Sequence, residues 1–209
     1  EHGVDLVVSS LTKSIGGFGA DLGGAVIGPK DTRTAFVMYR EETGAILSPK
    51  AAWNILTFGL PTLGVRMKAM QEGAMEIAQF LADHSKVRRV NYPGLESHPQ
   101  HEIARKQMRD FKGDFAPGSM LYFELDTADP AAIERFTGHA GDNCYCLSLA
   151  VSLGHVSTLM ENPYNMTHLL MPDDEKEAIG LKQSGIRLSV GLEEPADIID
   201  DLKQCLDKL

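Results

Sequence analysis

Cysteine is scarce in this chain. Three in 209 residues, Cys144, Cys146 and Cys205, are too few for a disulfide framework. The number is odd, and the one-residue gap in Cys144-Tyr145-Cys146 is tighter than the usual spacing of metal or redox pairs. A reduced, cytoplasmic protein is the expectation. A basic excess is also lacking. Lys plus Arg number 20 against 29 Asp plus Glu, a net charge of -9, which argues against nucleic acid as a partner. No apolar run is long enough to span a bilayer, and the opening residues do not read as a signal peptide. There is no internal repeat, low-complexity tract or Ser- or Pro-rich linker. What remains is ordinary globular composition, 43% hydrophobic and 23% charged, in a chain long enough for one large domain or two small ones.

The pattern alternates strands and helices, an α/β or α+β signature. Val4 to Ser9 reads as a short apolar strand, and Gly24 to Gly28 as a second, buried one. Pro29 and Asp31 open a helix running towards Glu42, closed by Gly44. Ser48-Pro49 is an N-cap and first-turn pair for a helix carrying Trp53, Ile55, Leu56 and Leu60. Pro61 falls inside the apolar pattern and predicts a kink or break. Helical periodicity resumes from Leu63 to Leu81, a connector between two regions. Beyond it, Val87 to Tyr92, Met120 to Leu125, Cys146 to Ala150 and Ile186 to Val190 read as strands. Gln100 to Met108, Asp129 to Phe136 and the stretch from Pro195 read as helices, the last with Ile198, Ile199, Leu202 and Leu206 on one stripe. The first third thus looks like the tail of a parallel α/β domain, residues 1–64, and residues 65–209 like a small α+β domain. A doubly wound domain needs more strands than 1–64 can supply, so the expectation is the C-terminal half of a larger polypeptide or one chain of a split enzyme.

Ser10-Leu11-Thr12-Lys13 stands between the first strand and a Gly-rich run, Gly16 to Gly24. A lysine so placed can form a Schiff base with a carbonyl cofactor, and the flanking hydroxyls can hold that cofactor's phosphate. The bland alternative is a solvated surface lysine, since short motifs are weak. His98 and His101 have helix-face spacing but no third ligand in the sequence nearby, so a structural role is expected and no metal.

Five segments together resemble the Cys/Met-metabolism enzymes that use pyridoxal phosphate. They are Asp5-Leu6 through Lys13; Thr43 to Pro49; Tyr92-Pro93-Gly94-Leu95 with Ser97-His98-Pro99; Leu149 to Gly154 with Met166-Thr167-His168; and Ile186 to Glu193. That group includes methionine γ-lyase, cystathionine γ-lyase, cystathionine γ-synthase and the O-acylhomoserine sulfhydrylases. The resemblance implies the end of a fold-type I large domain followed by the small C-terminal domain. It makes Lys13 the cofactor lysine, which shuttles protons once freed, and Ser10 and Thr12 phosphate ligands. Arg187 becomes a bidentate clamp on the substrate carboxylate, with Ser152 helping and Thr167 close behind.

The chain departs from the family pattern at Ser14, where an aromatic residue is usual, and at Gly17-Phe18, where Gly-His is usual. The family's partner for the ring nitrogen, its stacking tyrosine and a Gly-rich phosphate contact come from the N-terminal half, and an arginine from a neighbouring subunit. The fragment alone is therefore expected to be inactive, and the whole protein to be a homo-oligomer, a dimer of dimers. At Val151 the cystathionine enzymes typically carry glutamate and the methionine γ-lyases an apolar residue, which suits a thioether methyl. The resemblance thus favours γ-elimination of L-methionine to methanethiol, 2-oxobutyrate and ammonia. The alternatives are γ-replacement on an O-acylhomoserine or a cystathionine reaction. Two rivals of another kind are an inactive assembly subunit, suggested by Ser14 and Phe18, and an unrelated α/β binding domain. The bland readings have Ser152 capping a loop, Thr167 in a turn, and Arg187 paired at the surface with Glu193 or Glu194.

Overall fold

A computed structural model describes residues 3–209. The chain divides into two compact units, Glu1–Gly64 and Val65–Leu209.

In the first unit, β1 (Val7–Ser10) pairs with β2 (Gly24–Ile27). The pairing is antiparallel, with Ser10 opposite Gly24, not the parallel arrangement expected. The intervening residues hold one short π-type turn, Leu11–Ile15, and a Gly-rich loop. A parallel return needs a full crossover connection. Nor is β2 buried, for its four residues are exposed or half-exposed. Beyond it, α1 (Arg33–Thr43) ends on Gly44, whose φ of 68° is the left-handed C-cap that glycine adopts freely. Ser48 caps α2 (Pro49–Asn54), its hydroxyl accepting from the Ala51 N–H at 3.1 Å.

Pro61 does not end the helical run. The turn Ile55–Gly59 widens to π geometry, and α3 (Leu60–Asp83) continues through the proline. Proline deprives a carbonyl in the preceding turn of its N–H, and a wider turn relieves the ring's clash. The Thr62 hydroxyl donates to the carbonyls of Phe58, at 2.5 Å, and Gly59, at 3.2 Å.

The second unit is a five-stranded sheet in the order β3-β4-β7-β6-β5. These are β3 (Val87–Asn91), β4 (Met120–Leu125), β5 (Ser148–Leu149), β6 (Leu159–Glu161) and β7 (Gly185–Ser189). All pairings are antiparallel except β5 with β6. The helices are α4 (His101–Gln107), α5 (Pro130–Asp142), α6 (Asp173–Ala178) and α7 (Pro195–Leu206). Leu121, Phe123 and Leu125 alternate into the core of β4. They join Ile186 and Leu188 of β7, Ile77 and Leu81 of α3, Phe136 of α5, and Ile198 and Leu202 of α7 in one buried cluster. Phe123 and Phe136 meet edge-on, centroids 6.4 Å apart.

The register then decides the other face. Phe123 faces Ile186, and Leu121 faces Leu188 in the core. The residue between, Arg187, lies opposite Tyr122 on one side and Glu161 on the other. Because side chains alternate along a strand, Tyr122, Arg187 and Glu161 share the face turned away from the helical core. Four features lie outside what periodicity predicted. These are β6, α6, the extension of α5 past Phe136 to Asp142, and the shortness of β5.

Candidate functional site

The expected site residues fall into two groups, one in each unit. In the first unit, Ser10, Thr12 and Lys13 occupy the exit of β1 and the turn after it. The Leu11 N–H donates to the Gly23 carbonyl at 2.9 Å, tying the turn to the end of the Gly-rich loop. The Gly16 and Gly17 N–H groups donate to the Leu11 and Lys13 carbonyls at 2.9 and 2.8 Å. Lys13 itself leaves helical geometry, with φ -87° and ψ -138°. Its side chain therefore departs from a kink, not from a regular turn.

The Thr12 hydroxyl accepts from the Gly23 N–H at 2.9 Å. Its own approach to the Gly23 carbonyl is long, at 3.4 Å. A hydroxyl carries one donor and two acceptor sites. Here the acceptor side is well used and the hydrogen only weakly held, which leaves Thr12 able to donate to an anion. Ser10 is exposed and does not cap the turn with its side chain. Two hydroxyl donors and one primary amine within four residues suit an aldehyde cofactor that carries a phosphate. The chain around them is closely packed. A Cβ on Gly59 would stand 2.5 Å from the Ile15 carbonyl oxygen and 3.1 Å from Gly16 Cα, so only glycine lets this helix approach the lysine turn. A cavity of about 270 Å3 opens beside the turn, lined by Thr12, Phe18, Asp21, Asn54 and Phe58 among others. Asn54 Nδ2 donates to Asp21 Oδ2 at 2.8 Å across its wall.

In the second unit, Arg187 and Thr167 meet at a residue the sequence reading missed, Glu161, Ser152 reaches Arg187 through its carbonyl, and Val151 adjoins Ser152 in the chain. Arg187 Nη1 is 2.8 Å from Glu161 Oε1, and Nη2 donates to the Ser152 carbonyl at 2.6 Å. Thr167 Oγ1 donates to the same Glu161 oxygen at 3.2 Å. The Glu161 side chain is fully buried and that of Arg187 is 22% exposed. Glu161 Oε2 and Arg187 Nε have no hydrogen-bond partner among the described residues. Both of those atoms are buried, and only part of the Arg187 guanidinium reaches the surface. A guanidinium has five N–H donors in a rigid fork, so the two contacts seen leave capacity for a carboxylate.

The surface pairing of Arg187 with Glu193 or Glu194 is not what the structure holds. Glu193 is engaged elsewhere, accepting from the Thr158 N–H at 2.7 Å and the Thr158 hydroxyl at 2.8 Å. The Gly154 N–H donates to Ser189 Oγ at 2.9 Å. These bonds tie the loop after Ser152 to Ser189 and Glu193, residues that follow Arg187 in the chain. Val151, just before Ser152, is 58% exposed and presents an apolar surface beside the clamp. His101 Nδ1 is 2.8 Å from the Pro93 carbonyl, and His98 Nδ1 accepts from the Gln100 N–H at 3.1 Å. Among the described residues, no cluster of three or more His, Cys, Asp or Glu could hold a metal.

A family model for Cys/Met metabolism PLP-dependent enzymes matches residues 1–207. An L-methionine gamma-lyase from Fusobacterium nucleatum subsp. polymorphum is 42% identical over 209 residues, covering 99% of this chain and 50% of that protein. A cystathionine beta-lyase from Lactococcus lactis subsp. cremoris is 40% identical over 207 residues, covering 99% of this chain and 51% of its own length. In three dimensions the chain matches a cystathionine gamma synthase from Xanthomonas oryzae pv. oryzae with a TM-score of 0.87 at 35% identity, covering 99% of this chain and 50% of that one. The chain belongs to the Cys/Met-metabolism family of pyridoxal-phosphate-dependent enzymes. It spans about half the length of the curated relatives it matches.

Proposed function

We propose that the whole protein eliminates the γ-substituent of a sulfur amino acid, with L-methionine as substrate and methanethiol, 2-oxobutyrate and ammonia as products. The observation that carries this reading is the exposed, apolar Val151 joined directly to the residue whose carbonyl steadies Arg187. A substrate held by its carboxylate at Arg187 extends past Val151. A thioether methyl loses water there at little cost, whereas a charged distal end would lose hydration without a partner.

Bound pyridoxal phosphate supplies an electron sink that makes the protons on the substrate's Cα and Cβ removable. The chain's own residues do the rest. The Lys13 amine would hold the cofactor covalently at rest and, once released, take the proton from Cα and deliver it onward. For that it acts as the neutral amine. The Ser10 and Thr12 hydroxyls would donate to the phosphate. Arg187 would bind the substrate carboxylate and fix the angle of Cα. Glu161 would balance the buried guanidinium charge, and Thr167 would hold Glu161.

The remaining parts of the site would come from the rest of the polypeptide or a companion chain, in a dimer of dimers. The half-length match to the relatives supports that reading. Among the described residues no helix is long and apolar enough to cross a membrane. With three free cysteines, this supports our placing the protein in the cytoplasm.

The relative at 40% identity, a cystathionine beta-lyase, favours cystathionine as a second candidate substrate. Assays of the whole protein with L-methionine, L-cystathionine and an O-acylhomoserine plus thiol separate the readings. Methionine is expected to give the highest kcat/KM, and Val151→Glu to lower it about tenfold while sparing cystathionine, a loss of roughly 1.4 kcal/mol in discrimination. Preference for cystathionine or for γ-replacement in the unaltered protein contradicts the proposal.

A further inference from the structure

Away from both groups, the second unit brings two thiols into contact. Cys205 is fully buried in the last turn of α7. Its Sγ lies 3.4 Å from Sγ of Cys144, which is half-buried in the loop between α5 and β5. The two residues are 61 positions apart in sequence. A disulfide holds its sulfurs about 2.05 Å apart, so closure asks for a movement of the order of an ångström. The loop is held at that distance by an independent device. Asp201, one turn earlier on α7, accepts from the N–H of Cys146 at 2.6 Å and of Leu147 at 3.2 Å through Oδ2. The Cys144 thiol also reaches the Asp201 carbonyl at 3.8 Å. The contact is thus built into the fold, anchored on both sides.

We propose that Cys144 and Cys205 form a reversible dithiol–disulfide site, oxidised by low-molecular-weight disulfides, that staples the α5–β5 loop to α7. Oxidation enters at Cys144, the partly exposed member. Its thiolate attacks one sulfur of the small disulfide, and the other half leaves as a thiol. The Cys205 sulfur, having lost its proton to solvent, attacks Cys144 Sγ in the mixed disulfide and expels the second small thiol. The net reaction converts two protein thiols and one disulfide into one protein disulfide and two small thiols. Burial pushes both thiols above their ordinary range. Thiolate is then scarce at neutral pH, and the pair responds to sustained oxidation and not to brief exposure. The stapled loop leads through β5 to Val151 and Ser152, so the bond would restrain the segment whose carbonyl contacts Arg187.

The test is a disulfide map of the assembled whole protein after incubation with excess oxidised glutathione, alkylation and digestion without reduction. Trypsin places Cys144 and Cys146 on peptide 136–176 and Cys205 on peptide 204–208, and a chymotryptic cut after Tyr145 separates the first two. The expected result is a cross-link between residues 144 and 205, about 2 Da lighter than the two peptides together, with Cys146 alkylated and dithiothreitol restoring all three thiols. Cys144→Ser should abolish the link and Cys146→Ser should keep it. A link from Cys146 to Cys205, a mixed disulfide that stops at Cys144, or three alkylated thiols would overturn the proposal.

Discussion

Glu161 is the charged partner of Arg187 in the second unit. It is a fully buried carboxylate held by one guanidinium and one hydroxyl, with its second oxygen unpartnered. Removing one partner from such a pair leaves the other charge desolvated and uncompensated, which costs more than the pair itself is worth. Glu161→Gln should therefore lower unfolding stability by about 2 kcal/mol, less than a fully enclosed pair because Arg187 keeps some solvent contact. Denaturant titration of the whole protein measures this. The same variant should raise KM for the amino acid more than it lowers kcat, since it loosens the clamp and leaves Lys13 untouched. An unchanged midpoint would mean the pair is spent on nothing.

Residue-scale legibility was uneven for physical reasons. Arg187 and Ser152 are recognisable because their neighbours in sequence carry a pattern. Glu161 had no such signal. Its partner is 26 positions away and is delivered by strand register, which no local window contains. A trace existed in Leu159-Met160-Glu161, where an acid follows two large apolar residues with no polar alternation. That run is the signature of a charge drawn into a buried strand.

At the scale of elements, caps and stripes were readable and pairings were not. Ser48 and Asp129 cap their helices through Ala51 and Ala131 as the dipeptides Ser-Pro and Asp-Pro imply. The α7 stripe buries Ile198 and Leu202 at the spacing the sequence shows. Three-residue β6 is too short to generate a period, and the hand of the β1–β2 pairing depends on the route of the Gly-rich loop, not on strand composition. Pro61 predicted a kink or break, and the chain meets that constraint earlier, in the π-type turn Ile55–Gly59, whose Gly59 lies against Ile15 and Gly16. Gly59→Ala forces a methyl into backbone that cannot swing aside. It should destabilise the first unit by about 2 kcal/mol and weaken pyridoxal phosphate binding as the lysine turn is displaced. Equilibrium titration with the cofactor reads the second effect. An alanine variant with wild-type affinity would sever the link between that helix and the turn.

For the whole molecule, the two units differ in how complete they are. The second has a closed core of helices against a sheet. In the first, Val7, Val8, Leu22, Val26, Ile27, Trp53 and Leu56 are all exposed. That is more large apolar surface than a unit this small normally leaves bare. The half-length match to the relatives points to what covers it, the remainder of the polypeptide or a companion chain. The 209-residue chain produced alone should therefore bind a hydrophobic dye strongly and self-associate. Restoring the missing half should abolish both, and dye binding that persists in the whole protein would contradict this.

Stability should also fall on the alkaline side. Burial holds the Cys205 thiol and the Tyr92 phenol above their ordinary ranges in the folded chain. The unfolded chain releases the cysteine proton near about pH 8.5 and the tyrosine proton near about 10, while the folded chain keeps both. The folded state then binds more protons, so stability is full below about pH 8.5 and declines as pH rises through that window. Melting midpoints between pH 7 and 10.5 test the slope. A flat profile would mean that neither group stays protonated in the folded state.

The most direct test of the central claim is to add pyridoxal phosphate to the whole protein, reduce with borohydride and map the labelled peptide. A pyridoxyl group on Lys13, preceded by an absorbance band near the visible edge that L-methionine perturbs, is the predicted result. A label on another lysine, or no band at all, would contradict it.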